Sequence, residues 1–276
     1  MNVVSLFDGI SCGQLALRKA GIPITTYFAS EVDKNAIKVT QHNFPDTIQL
    51  GDVTAIDGTM LAGADLLIGG SPCQGFSIAG DKLNFEDPRS ALFFEFVRLR
   101  DEIDPRYFLL ENVNMKAEWR DVITQYLGVE PVRINSSDFV PALRDRWYWT
   151  NIPIESWEPL ERDWRDLAET DPAILARYEV NRTPSREVMF FGGKCVNLGT
   201  RKVTCALTTK MDRWSNAGLV PYGDGWCRYL TPREAERLQG VPDDYTACVS
   251  DTARYHALGN GWTVDVIAHI FKGLAA

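Results

Sequence analysis

Short apolar runs alternate with stretches of helical periodicity through the first 152 residues, and this alternation limits the fold more than any other feature of the chain. Parallel strands cannot be joined by tight turns and need crossovers, usually helical, so the pattern predicts an α/β protein built on a mostly parallel sheet. Strands are predicted over 3–7, 25–30, 48–50, 66–69, 107–110, 132–134 and 147–152, with helices over 14–20, 33–43 and 91–102. Leu92, Phe93, Phe96, Val97 and Leu99 share one helical face, which predicts burial against the sheet. At 276 residues the chain suits one large domain with a small lobe attached. No apolar run approaches the ~18 residues of a membrane span, and Met1 leads directly into a strand-like segment. The expected compartment is therefore the cytoplasm.

Regularity stops near Pro153. Residues 155–171 carry seven acids against two arginines, whereas residues 177–213 carry eight bases against three acids. The stretch 154–230 reads as an irregular insertion between a domain at 1–153 and a return to that domain at 231–276. Thr231-Pro232-Arg233-Glu234 predicts a capped helix start, with Gly240 as its stop, and a last helix is expected over 264–274. Six cysteines (Cys12, Cys73, Cys195, Cys205, Cys227, Cys248) form no C-x-x-C pair, so reduced thiols are expected and no metal site. The net charge of −8 argues against a polyanionic partner for the chain as a whole, but the basic half of the insertion reverses that locally.

Open parallel sheets bind ligands beyond the carboxyl ends of their strands. At those ends stand Phe7-Asp8-Gly9-Ile10-Ser11, Glu31-Val32 and Gly51-Asp52-Val53. Two glycines allow close backbone approach, and Glu31 suits ribose hydroxyls. Asp52 can accept from an adenine amino group. With no G-x-G-x-x-G present, the set points to an adenosine-bearing cofactor without a pyrophosphate. Cys73 lies in the Gly/Pro/Ser-rich turn after the fourth strand, Glu111-Asn112 ends the fifth, and Arg144 and Arg146 precede the last. A thiol, an acid and fixed cations on one rim suit nucleophilic attack on an electron-poor ring.

Over nearly its whole length the chain resembles the DNA cytosine-5 methyltransferases. The resemblance rests on Phe7-x-Gly9, Ser71-Pro72-Cys73-Gln74, Glu111-Asn112-Val113, Arg144-x-Arg146, Arg233-Glu234-x-x-Arg237-Leu238-Gln239-Gly240 and Gly259-Asn260-Gly261-Trp262, in the family's order. Arg144-Asp145-Arg146-Trp147-Tyr148-Trp149 and the Trp262 ending resemble the Dnmt3-type branch. Such enzymes also serve restriction–modification systems.

The resemblance implies a class I S-adenosylmethionine-dependent methyltransferase, Rossmann-like, with a small irregular target-recognition lobe. It implies Cys73 as nucleophile toward C6 of a flipped cytosine, and Glu111, Arg146, Arg144 and Asn112 as its catalytic companions. S-adenosylmethionine would be held by Phe7, Gly9, Ser11, Glu31, Val32, Asp52, Val53, Pro72, Leu92, Asn260 and Trp262. Double-stranded DNA would meet Gln74, Ser77, Lys82, Arg89, Arg201 and Lys202. Three positions depart from the family pattern: Ser11-Cys12 replaces part of a glycine-rich turn, Ala142 a common glutamine and Gly261 a usual serine. A tRNA cytosine-5 methyltransferase and a non-catalytic DNA-binding homologue remain as alternatives, and the oligomeric state is unread.

Overall fold

The computed structural model describes residues 1–71, 88–214 and 216–275, with 88–90 by backbone alone. The chain divides into two compact units, Met1–Asn135 with Asp145–Ser156 and Val266–Ala276, and Ser136–Arg144 with Trp157–Asp265. Residues 231–265 thus group with the insertion, and only the last segment groups with the sheet.

The first unit carries β1 (Asn2–Leu6), α1 (Cys12–Lys19), β2 (Thr26–Ser30), α2 (Lys34–Asn43), β3 (Ile48–Gln49), β4 (Leu66–Gly69), α3 (Pro88–Ile103), β5 (Tyr107–Val113), α4 (Ala117–Leu127), β6 (Val132–Asn135) and β7 (Asp145–Thr150). The seven strands form one sheet in the order β3-β2-β1-β4-β5-β7-β6. β1 to β5 pair in parallel, and β7 runs antiparallel to both its neighbours.

Local sequence accounts for several of these elements. Asp33 caps α2, its carboxylate accepting from the Asn35 and Ala36 amides. Phe93, Phe96, Leu99 and Ile103 bury one face of α3 against Val4, Leu6, Leu67 and Leu110 of the sheet. Gly69 is glycine because a Cβ there would lie 3.0 Å from the Phe96 ring and 3.2 Å from the Leu6 carbonyl. α4 was not foreseen; buried Ile123 and Leu127, four residues apart, and Gly128 at φ 71° after the last turn are its signals.

The second unit carries α5 (Pro172–Leu175), α6 (Pro184–Phe191), β8 (Val220–Tyr222), β9 (Trp226–Arg228), α7 (Pro232–Leu238) and α8 (Asp251–Asn260). α9 (Val264–Phe271) spans the boundary between the units, and it is shorter than the helix predicted over 264–274 because the chain tightens into a 3₁₀ turn at Lys272. The second unit has its own core of Val180, Phe190, Cys195, Leu219, Trp226 and Cys227. Short helices α5 and α6, 3₁₀ turns and the three-residue strands β8 and β9 lie within the stretch that the sequence marks as an irregular insertion. α7 begins with the predicted capping box between Thr231 and Glu234.

Candidate active site

β5 extends three residues past its predicted end because β7 pairs with it, setting Glu111 opposite Tyr148, Asn112 opposite Trp147 and Val113 opposite Arg146. Residues two apart on a strand share a face, so Arg146 lies diagonal to Glu111. Its Nε stands 2.8 Å from Glu111 Oε1, and the Glu111 side chain is 9% exposed. A buried carboxylate needs a compensating charge, and the guanidinium supplies a fixed one.

Asn112, expected among the catalytic residues, is a tie between strands. Its Nδ2 donates to Ser71 Oγ at 3.1 Å and its Oδ1 accepts from the Val113 amide at 2.8 Å. This ties Ser71, two residues beyond the end of β4, to β5. Pro72, Cys73, Gln74, Ser77 and Lys82 lie outside the described residues, as does the side chain of Arg89.

The turns after β1, β2 and β3 converge in the first unit. The Gly9 amide donates to Glu31 Oε2 at 2.8 Å, while Oε1 accepts from the Val32 and Asp33 amides. Glu31 is therefore held in one orientation by three backbone donors. Asp52 is exposed, and Thr54 donates to its Oδ1 from both amide and hydroxyl, which holds its pKa below the usual carboxylate value. Gly9 and Gly51 sit at φ 60° and 75°, and a Cβ on either would meet nothing within 4 Å. Both glycines border open space.

Phe7 and Leu92 are half-buried against the core, and Val32 is exposed. Val53 and Ser11 are enclosed. The Val53 side chain belongs to the core, and Ser11 is fully buried with its hydroxyl inside a polar network.

In the second unit Arg144 donates to the carbonyls of Gly259 at 3.1 Å and Asn260 at 3.4 Å. The expected pair of guanidiniums at one carboxylate thus resolves into two tasks, Arg146 on Glu111 and Arg144 on the end of α8. Gln239 completes that turn, donating to the Leu258 and Gly261 carbonyls and accepting from Thr263. Gly259 lies so close to Thr208 that a Cβ would be 2.3 Å from its carbonyl carbon. Asn260 is exposed and Trp262 half-buried. Arg201 and Lys202 are exposed, and their carbonyls receive hydrogen bonds from Trp164.

The Arg233-Glu234-x-x-Arg237 motif is structural. Arg228 pairs with Glu234 through two 2.7 Å bonds, Glu169 binds Arg233, and Arg237 grips Asp243.

Sequence reasoning missed Arg98, which donates to the Val53 and Ile56 carbonyls and pairs with Glu95 and Glu102. A lone arginine on a helix offers no local signal for such a reach. Among the described residues the five cysteines are free, and no group of three acidic, histidine or cysteine residues could hold a metal. No described helix is long and apolar enough to cross a membrane.

The strand order and the reversed β7 are those of the class I methyltransferase fold. Solved structures agree on the fold. The Schizosaccharomyces pombe Dnmt2 methyltransferase matches with TM-score 0.77 at 20% identity over the whole of both chains. The Entamoeba histolytica methyltransferase EhMeth matches with TM-score 0.81 at 18% identity, over 99% of this chain and 97% of that one.

Residues 1–152 and 157–276 match the C-5 cytosine-specific DNA methylase family, to which the chain belongs. Type II methyltransferase M.NgoBI of Neisseria gonorrhoeae is 32% identical, covering 96% of this chain and 90% of its own. Type II methyltransferase M1.ScrFI of Lactococcus lactis subsp. cremoris is 31% identical, covering 96% and 76%. Orphan methyltransferase M.Rho11sI of Bacillus phage rho11s is 46% identical over 163 residues, only 32% of its length. The chain is a DNA cytosine-5 methyltransferase.

Proposed function

We propose that Cys73, Glu111 and Arg146 carry out the reaction on a cytosine flipped out of double-stranded DNA, with S-adenosylmethionine as donor. The observation that carries this reading is the Glu111–Arg146 pair at 2.8 Å, beside the Asn112–Ser71 tie two residues before Cys73 in the sequence. The Cys73 thiolate adds to C6 and the ring electrons move toward C5. Glu111, as the acid, protonates N3 and holds the exocyclic amine. Arg146 donates to O2, where a preorganised charge offsets the density that builds up. When bound, S-adenosylmethionine supplies the electrophilic methyl group for C5. Loss of the C5 proton then returns the electrons and expels Cys73.

The first-unit residues fit that cofactor. Glu31 offers a carboxylate fixed in place for the ribose hydroxyls, Asp52 an exposed acceptor for the adenine amine, and Gly9 and Gly51 the open floor. Phe7, Val32, Pro72, Leu92, Asn260 and Trp262 are assigned to it by family resemblance alone, as are Gln74, Ser77, Lys82 and Arg89 to DNA. The exposed Arg201 and Lys202 suit phosphate contacts within a target-recognition segment at 154–230. The cytoplasm is the proposed site of action.

The test is incubation with labelled S-adenosylmethionine and either mixed-sequence duplex DNA or tRNA, followed by bisulfite sequencing. Label in DNA cytosine is expected. Label confined to tRNA, or to neither, overturns the reading.

A further inference from the structure

The turn that leads from β1 into α1 is strained. Phe7, Gly9 and Ser11 all sit in the left-handed region, at φ 56°, 60° and 57°, and two of the three carry side chains. A non-glycine residue is held there only when its surroundings over-determine it. Ser11 also occupies the N-cap position of α1, where a serine ordinarily adopts extended geometry and accepts from the first helical amides. Here it makes no side-chain cap.

Its hydroxyl turns instead to the Asp8 carboxylate, donating to Oδ2. Gln14 Nε2 lies 3.2 Å from the same hydroxyl and Thr40 Oγ1 3.1 Å from it. A serine has one proton to give. With Gln14 donating into it, that proton goes to Asp8. Tyr27 donates to the other oxygen, Oδ1, at 2.8 Å. The tyrosine reaches this position because residue 13 is glycine, where a Cβ would stand 2.8 Å from its hydroxyl. Asp8 thus receives hydroxyl donors on both oxygens, and its own amide is bound to the Ser30 carbonyl at 3.0 Å. The next residue is Gly9, whose amide fixes Glu31.

We propose that the Asp8 carboxylate, clamped by the Ser11 and Tyr27 hydroxyls, is the positioning residue that holds this turn, and with it Gly9 and Glu31, in the geometry that receives the cofactor's ribose. The inference rests on the reading of S-adenosylmethionine as the ligand of these strand ends. It also accounts for a departure from the family pattern. Where glycine would adopt the left-handed conformation unaided, this chain has Ser11, and the Asp8–Ser11 bond supplies the restraint.

The test is calorimetric binding of S-adenosylhomocysteine to the full chain, read beside circular dichroism and steady-state rates. Asp8→Ala is expected to raise Kd by roughly tenfold or more, as loss of charge-assisted bonds does. Tyr27→Phe, which deletes one hydroxyl, is expected to raise it by about threefold, and keeps the test open if Asp8→Ala unfolds. In both variants the KM for the donor rises while kcat at saturation holds. The deciding variant is Asp8→Ala combined with Ser11→Gly, because glycine needs no restraint at φ 57°. Kd should return to within about threefold of the unmodified chain. Values within twofold for both Asp8→Ala and Tyr27→Phe overturn the proposal, and so does a loss that Ser11→Gly fails to reverse. If the unmodified chain itself does not bind S-adenosylhomocysteine, the cofactor reading falls and this inference falls with it.

Discussion

Glu111→Gln separates the chemistry of the site from its architecture. The glutamine is isosteric and keeps one carbonyl oxygen for the Arg146 guanidinium, which now stands 2.8 Å from Glu111. The ion pair becomes a contact between the charged guanidinium and a neutral carbonyl, a change worth about 1–2 kcal/mol of folding stability at a site this buried. The chemical consequence is larger, because an amide cannot deliver a proton to N3. Loss of a positioned general acid typically costs ~10²–10⁴-fold in rate, or about 3–5 kcal/mol of barrier. The assay is a single-turnover experiment at saturating labelled S-adenosylmethionine, with a urea titration and S-adenosylhomocysteine binding measured on the same preparation. The expected outcome is a methyl-transfer rate lower by at least ~100-fold, a stability loss of about 1–2 kcal/mol and cofactor affinity within about twofold of the unmodified chain. A transfer rate within about tenfold refutes the assignment of Glu111 as the acid, and so does a rate loss accounted for by weakened cofactor binding.

Three further outcomes are expected. Cys73→Ala should abolish turnover yet bind S-adenosylhomocysteine, and only the unmodified chain should be trapped covalently on duplex DNA containing 5-fluorocytosine, seen as a denaturation-resistant band. Arg228→Met strands Glu234, whose side chain is 1% exposed and would keep the Glu169 and Thr231 backbone amides as its donors; removal of one partner of a buried pair costs about 3–5 kcal/mol, so a urea titration showing less than ~1 kcal/mol would contradict the structural role given to this pair. Asp8 is crowded by burial, which pushes its pKa up to about 6 against the opposing bonds from Ser11, Ser5 and Tyr27. A carboxyl raised in the folded state from 3.8 to about 6 contributes its full stability below pH 3.8 and loses it as pH rises through 6, by at most about 3 kcal/mol and less for a half-buried residue that water still reaches. Asp8→Asn should therefore gain stability relative to the unmodified chain between pH 4 and pH 7; parallel stability curves for the two proteins would show that Asp8 does not titrate there.

Short-range patterns in the chain were enough for the alternation of strands and helices, the Asp33 and Thr231 caps and the buried face of α3. Each depends on residues within about one or two turns of one another. The strand ends that carry Gly9, Glu31, Asp52, Ser71 and Glu111 were legible for the same reason, because a parallel sheet puts its functional residues where strands stop. Tertiary structure decided what those patterns leave open. Antiparallel pairing of β7 with β5 lengthened β5, and it brought Arg146 to Glu111 across 35 positions of sequence. It also separated the tasks of Arg144 and Arg146, because Arg146 lies within β7 while Arg144 precedes the strand, so the adjoining fold rather than strand alternation determines what each one meets. Ser11, Val53, Asn112 and Arg98 took roles in packing and hydrogen bonding that no local spacing encodes. A buried hydroxyl, amide or guanidinium takes the partner that the closed fold brings within about 3 Å, and that partner is a property of long-range register rather than of neighbouring sequence.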